Sequence, residues 1–130
     1  MIPRRTRVSE EALRKHAEDV EFAAEFDDLL EQARVAEKEL RDAEAAATPL
    51  VELHRLGKQL DEALTTVMRS AFAAERAAIG ARGYDDRIYR RKAKATPPVR
   101  VWTAEAEHLL TLRESHRLTG IIRVPRKPAA

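Results

Sequence analysis

Residues 48–80 read TPLVELHRLGKQLDEALTTVMRSAFAAERAAIG, and this stretch decides the fold expected for the chain. Thr48 is a residue type that caps helix N-termini. Pro49 suits the first helical position, where its missing N–H costs nothing. Gly80 is the residue that most easily takes a left-handed conformation past a helix C-terminus. Between these marks Leu53, Leu60, Val67 and Ala74 recur every seven residues, as do Gly57, Leu64, Ala71 and Ala78. Together the two rows make a 3-4 stripe, the seam of a helix that packs along another helix. The seam is bulky near Leu53 and small near Ala78, so a partner backbone is expected closest at the Gly80 end. Met68 and Phe72 continue from Leu64 on a side row and widen the apolar face beyond a two-helix seam.

Upstream, Ser9 suits an N-cap, and Glu10 and Glu11 suit the positive end of a helix dipole. From there to about Ala47 the pattern is helical. Phe22, Leu29, Ala36 and Ala43 form one heptad row, and Phe26, Ala33, Leu40 and Ala47 a second. Leu13, Ala17, Val20 and Ala24 form a stripe in another phase. Asp prefers helix starts to helix interiors, so the change of phase places a bend or break near Asp27-Asp28. The expected helices are 10–25 and 28–46. Pro49 pushes residue 48 out of the α region, and so short a connection makes antiparallel neighbours. The expectation is therefore a mainly α protein built on a long antiparallel helical hairpin, preceded by an N-terminal helix. At 1.5 Å per residue its longer arm reaches roughly 45 Å. Leu53, Leu60, Leu64 and Val67 carry its seam.

After Gly80 the character changes. ARGYDDRIYRRKAKATPP, residues 81–98, is basic and holds both tyrosines. A short helix is expected from Asp85 to about Ala93, closed by Pro97-Pro98. Val99-Arg100-Val101-Trp102 alternates apolar and polar residues and reads as a short strand. Thr103 then reads as the N-cap of a helix that ends before Gly120, with Leu109, Leu110 and Leu112 on its apolar side. Ile121–Val124 reads as a second strand, followed by an open basic tail. Residues 1–8, with Pro3 and three arginines, read as a matching extended arm. The chain divides into a helical core over 1–80 and a basic linker with strand, helix, strand and tail over 81–130.

Composition narrows the function. The 130 residues contain no Cys, so neither a disulfide framework nor a thiolate metal site is open to the chain. No apolar run approaches the roughly 20 residues of a membrane span. No apolar segment follows the basic start, so a cytoplasmic or virion location is expected rather than signal-directed secretion. The net charge of +2 conceals a split: 12 Lys+Arg against 17 Asp+Glu over 1–80, and 12 against 5 over 81–130. Such asymmetry points to partners of opposite sign, to head-to-tail contact between copies, or to a basic region folding onto its own acidic helices.

The chemistry of an enzyme is not visible. His108 and His116 stand eight apart, not at the i, i+4 spacing of a helical zinc pair, and His16 and His54 lie elsewhere. The carboxylates of 18–44 fall opposite the apolar stripe, where no cleft perturbs them. There is no glycine-rich phosphate loop and no nucleophile elbow. The reading is a non-enzyme without metal or cofactor. Its functional candidates are Arg87, Arg90, Arg91, Lys92, Lys94 and Arg100, which suit phosphates or an acidic protein, with Tyr84 and Tyr89 available for stacking or packing. Trp102, the only tryptophan, reads as a packing anchor for the helix after it.

With the stripes Leu29/Leu40 against Leu53/Leu60/Leu64 and the segment Ile121–Ala130, the chain resembles in outline the head–tail adaptor (connector) proteins of tailed phages. The resemblance implies a helical, ring-forming virion protein whose extended terminal segments grip a portal and neighbouring subunits. The function expected is structural: a chain that forms a homo-oligomer or docks on a larger complex. Phe72, Trp102, Ile121, Ile122 and Val124 join the seam residues as candidate partner contacts, the Ile121–Val124 strand by adding to a partner's sheet edge. The alternative is a nucleic-acid-binding oligomer, in the role of a small packaging subunit, that uses residues 82–100.

Overall fold

Local capping starts the first helix where the sequence places it. In the computed structural model, which describes residues 7–126, the Ser9 side chain accepts the Ala12 N–H at 3.1 Å and opens α1 (Glu10–Ala24). The helix is interrupted at Glu25 and resumes as α2 (Phe26–Ala45). Asp27 and Asp28 therefore sit in the first turn of α2, where carboxylates face the positive helix end. The break has a tertiary cause. In a continuous helix the Phe22 carbonyl would accept the Phe26 N–H; here it accepts the Ser70 hydroxyl at 2.8 Å and the Glu25 N–H at 3.1 Å.

Residues 46–49 join α2 to α3 (Leu50–Ile79). Thr48 is not the cap expected of it. Its N–H reaches back to Ala43 O at 3.1 Å and that of Ala47 to Glu44 O at 3.2 Å, the paired bonds of a Schellman motif. Ala47 takes φ 55°, where glycine is usual. At the other end of α3, Gly80 has φ 102° and ψ 169°, a region open essentially to glycine.

α3 is the common support of the bundle. Leu60, Leu64, Val67 and Ala71 are fully buried. The most extensive contact of α3 is with α6 (Pro97–Thr119), then with α2, then with α1. α3 is apolar on more than one face because several helices cover it, where the heptad rows predict a two-helix seam. Pairs of residues set the directions. Thr103 meets Glu75 and His116 meets Gly57, so α6 runs antiparallel to α3. His16 meets Ala77 and Phe22 meets Ser70, so α1 does the same at the small-residue end.

Several expectations are corrected. No strand occurs among the described residues. Val99–Trp102 is helical: Thr96 is extended at φ −79° and ψ 145°, and Pro97 takes the first helical turn. Four alternating residues fit either period. The longer series Val99, Trp102, Ala106 and Leu109, at spacings of three and four, is helical, and it faces the core. Thr103 does not cap; its hydroxyl serves Val99 O and the Glu75 carboxylate. Ile121–Val124 forms no strand either. The α1 stripe is also corrected. Leu13 and Val20 are 53 % and 47 % exposed, and the face turned inward carries Ala12, His16, Asp19 and Phe22. Polar contacts with α3, not apolar area, set the rotation of α1. The arm expected over 1–8 and the tail after Val124 fall largely outside the described residues.

After Gly80 come α4 (Arg82–Asp85) and α5 (Arg87–Ala93). Gly83 is required by close approach: a Cβ there would lie 2.4 Å from Ile79 Cγ2. After α6, Gly120 takes the left-handed conformation at φ 71° and turns residues 121–126 back over α2. No helix among the described residues is long and apolar enough to cross a membrane.

Two stability measurements check this account. Leu64→Ala removes a fully buried side chain from α3 and is expected to cost about 2–5 kcal/mol in urea denaturation. Ala47→Gly relieves the left-handed alanine and is expected to gain about 0.5–1 kcal/mol in the same assay.

Candidate functional site

The two ends of the bundle differ in chemistry. One end gathers the start of α3, the end of α6 and the turn at Gly120. Leu50, Val51, Leu118 and Ile121 are each 82–84 % exposed there. Leu50 and Val51 stand in the first turn of α3, and Ile121 follows the Gly120 turn. Leu40, Leu53, Gly57, His116 and Gly120 line a shallow groove between these helices. His116 donates to the Gly57 carbonyl at 2.9 Å, which holds the last turns of α6 against α3. Beside it Arg117 forks onto Asp61 at 2.6 and 3.2 Å. The Arg117 hydrogen bond lowers the Asp61 carboxyl below its ordinary range, against the opposing effect of burial.

The tail that leaves this end is strapped to α2. Arg41 donates to the Gly120 carbonyl at 2.7 Å, and Glu37 accepts the Val124 N–H at 2.9 Å. Val124 is buried in the core and Ile122 half-buried. A strand offered by 121–124 to a partner's sheet is therefore not available in this conformation, since Val124 and its N–H are already used. Of the three tail residues expected to dock, only Ile121 faces outward. Leu60, Leu64 and Val67 are likewise enclosed by the chain's own helices, Leu53 and Phe72 are half-buried, and Trp102 packs edge-to-face on Phe26 with centroids 5.1 Å apart.

At the other end a polar cluster clamps α1 to α3 and α4. Asp19 accepts from Arg76 at 2.9 and 3.1 Å and from the Tyr84 hydroxyl. Burial pushes the Asp19 carboxyl up, but the bonds from Arg76 and Tyr84 outweigh it and leave it below the ordinary range. Burial and the Asp19 carboxylate together raise Tyr84, so its hydroxyl stays a donor. The cluster is consumed in holding helices together.

Beyond it lies the basic segment. Asp86 accepts the Tyr89 N–H at 2.9 Å and caps α5. Arg82 lies 4.6 Å over the Tyr89 ring, and Arg90 donates to the Gly83 carbonyl at 2.6 Å. Both tyrosines and Arg90 are thus packing elements, not free contacts. Arg87, Arg91, Lys92, Lys94 and Arg100 are exposed, and none pairs with a carboxylate among the described residues. The basic region meets the chain's own acids elsewhere, through Arg117 and Asp61.

Sequence reasoning missed Asp19, Arg76, Glu37, Arg41 and the Ser9–Asp85 contact. Their partners lie 57 to 87 positions away, and no local pattern marks them. His54 and His116 border the same groove, and no group of three potential metal ligands converges among the described residues. No protein-family model matches the chain, and no curated protein or solved structure matches it either.

Two of the lowered carboxyls, those that join helices far apart in sequence, fix a pH dependence. Asp19 and Asp61 have folded values below their ordinary ones. Their contribution is present above about pH 4 and is lost as pH falls through the folded values. Stability from urea titrations is expected to drop steadily below about pH 4, and less steeply in Asp61→Asn. With Arg117 47 % exposed, that substitution should cost no more than about 1 kcal/mol at neutral pH.

Proposed function

We propose that this chain is a non-enzymatic assembly protein that self-associates through its apolar end. The observation that carries the reading is the placement of Leu50, Val51, Leu118 and Ile121, each more than four-fifths exposed, at one end of a bundle whose other large side chains are mostly covered. Burying one such side chain is worth about 1.5–3 kcal/mol. Exposed apolar patches of this kind mark contact surfaces. The occupant proposed is a second copy. A two-fold, end-to-end contact places the same four residues on both sides and closes on itself. The outline resemblance to phage head–tail adaptors supplies a setting for such a subunit, in which neighbouring copies or a larger ring cover the patch.

Light scattering coupled to size-exclusion chromatography tests this at micromolar to hundred-micromolar concentrations. The wild-type chain is expected to run above the 14.7 kDa of a monomer. Leu50→Asp combined with Leu118→Asp is expected to run as a monomer with unchanged helical circular dichroism, since neither side chain belongs to the core. A wild-type chain that stays monomeric across this range overturns the reading.

A further inference from the structure

The opposite end carries a charged surface that the apolar docking end leaves unexplained. From Arg87 to Ala104 the sequence holds six Lys and Arg and no carboxylate. Arg90 is occupied by Gly83, and the other five stand exposed without an acidic partner among the described residues. Tertiary structure adds a seventh cation from the far end of the sequence. The Ser9 N–H and hydroxyl donate to the two Asp85 oxygens at 2.9 and 3.0 Å. This contact spans 76 positions and sets Arg7 and Val8 beside α4 and α5, so that Arg7, Val8, Arg87 and Ile88 border one hollow.

The acids nearest this surface are already used. Asp85 holds Ser9, and Asp86 caps α5 and lies 3.4 Å from Arg82. Glu11 pairs with Lys15 at 2.9 Å. Glu10 alone of the first α1 turn remains to oppose a polyanion. The field here is therefore positive and accessible, and it suits a ligand bearing regularly repeated anionic groups.

The aromatic side chains decide which polyanion. Single-stranded nucleic acids are held by exposed rings on which bases stack. Here the Tyr84 hydroxyl binds Asp19, Tyr89 lies under Arg82, and Trp102 meets Phe26. All three rings are half-buried against neighbours, so none of them stands out as an exposed stacking platform. Arg87 and Arg91 are one helical turn apart, about 6 Å along α5, so both reach phosphates of one strand. We propose that the basic end is a sequence-independent site for the phosphate backbone of duplex nucleic acid, formed jointly by α5, the start of α6 and Arg7, which the Ser9–Asp85 contact holds beside them.

Fluorescence polarisation tests this on the full chain, with labelled random duplexes of about 30 base pairs and a thymidine single strand of equal length. Wild type is expected to bind two unrelated duplexes equally. Engaging about five phosphates, it should lose roughly 10²–10³-fold in affinity between about 50 and 200 mM NaCl. Arg87→Ala with Arg91→Ala should flatten the log–log salt slope by about two, and Arg7→Ala by about one. Asp85→Asn should weaken duplex binding despite removing a negative charge, because it loosens the contact that holds Arg7 in place. That inversion separates an anchored Arg7 from bulk charge. Repeating the titration in Leu50→Asp/Leu118→Asp keeps the apolar end out of the measurement. Three results overturn the proposal: no duplex binding at low salt, tighter binding of the single strand, or tighter duplex binding by Asp85→Asn. A salt-sensitive gain in mass lost in Arg87→Ala/Arg91→Ala, without duplex binding, would assign the surface to the acidic helices of a second copy instead.

Discussion

The structure depends on one helix being covered from several sides. Leu60, Leu64 and Val67 of α3 are sealed from water, and α1, α2 and α6 each owe their place to the area they cover there. The apolar transfer involved is non-directional, so it brings helices together without fixing their rotation or register. Those are set by a few directional bonds at the edges of the contact. Ser70 takes the Phe22 carbonyl, Glu75 takes the Thr103 hydroxyl, and His116 takes the Gly57 carbonyl. Each joins a side chain to a group far along the chain, and each lies beside a helix–helix seam.

The same division explains the two termini of the described chain. Residues 7–9 and the C-terminal strap have little apolar area to bury, apart from Ile122 and Val124. Both are held by carboxylates accepting backbone N–H groups: Asp85 from Ser9 and Glu37 from Val124. Bonds to a charged acceptor are stronger than neutral ones, which suits segments that hydrophobic packing alone would leave loose. Arg41 completes the strap by gathering the carbonyls beyond α6.

Antiparallel packing then separates two surfaces. The start of α3 and the end of α6 coincide at one end, where aliphatic side chains project past the last covered turns. The end of α3 meets α1, α4 and α5 at the other, where cations project. A single short bundle thus exposes aliphatic side chains at one end and cations at the other.

The sequence by itself determined the helical class, the start of α1 at Ser9, the buried positions Leu60, Leu64, Val67 and Ala71 of α3, and the ends at Gly80 and Gly120, whereas Ala78 of the same expected row is exposed. These follow from period, caps and backbone freedom, which are local properties. It also marked the exposed cations of α5, because a run of charge without a counter-charge is visible in one dimension. Tertiary structure decided the rest. Val99–Trp102 is helical because the stripe continuing to Leu109 packs on α3, and four residues could not reveal that stripe. Leu13 and Val20 face solvent because His16 and Asp19 find partners on α3 and α4 that lie more than fifty positions away. Ile121–Val124 straps onto α2 because Glu37 and Arg41 wait there, and only folding brings them within hydrogen-bond reach. Local rules act over a few bonds of chain; these choices were made by groups that the chain alone keeps far apart.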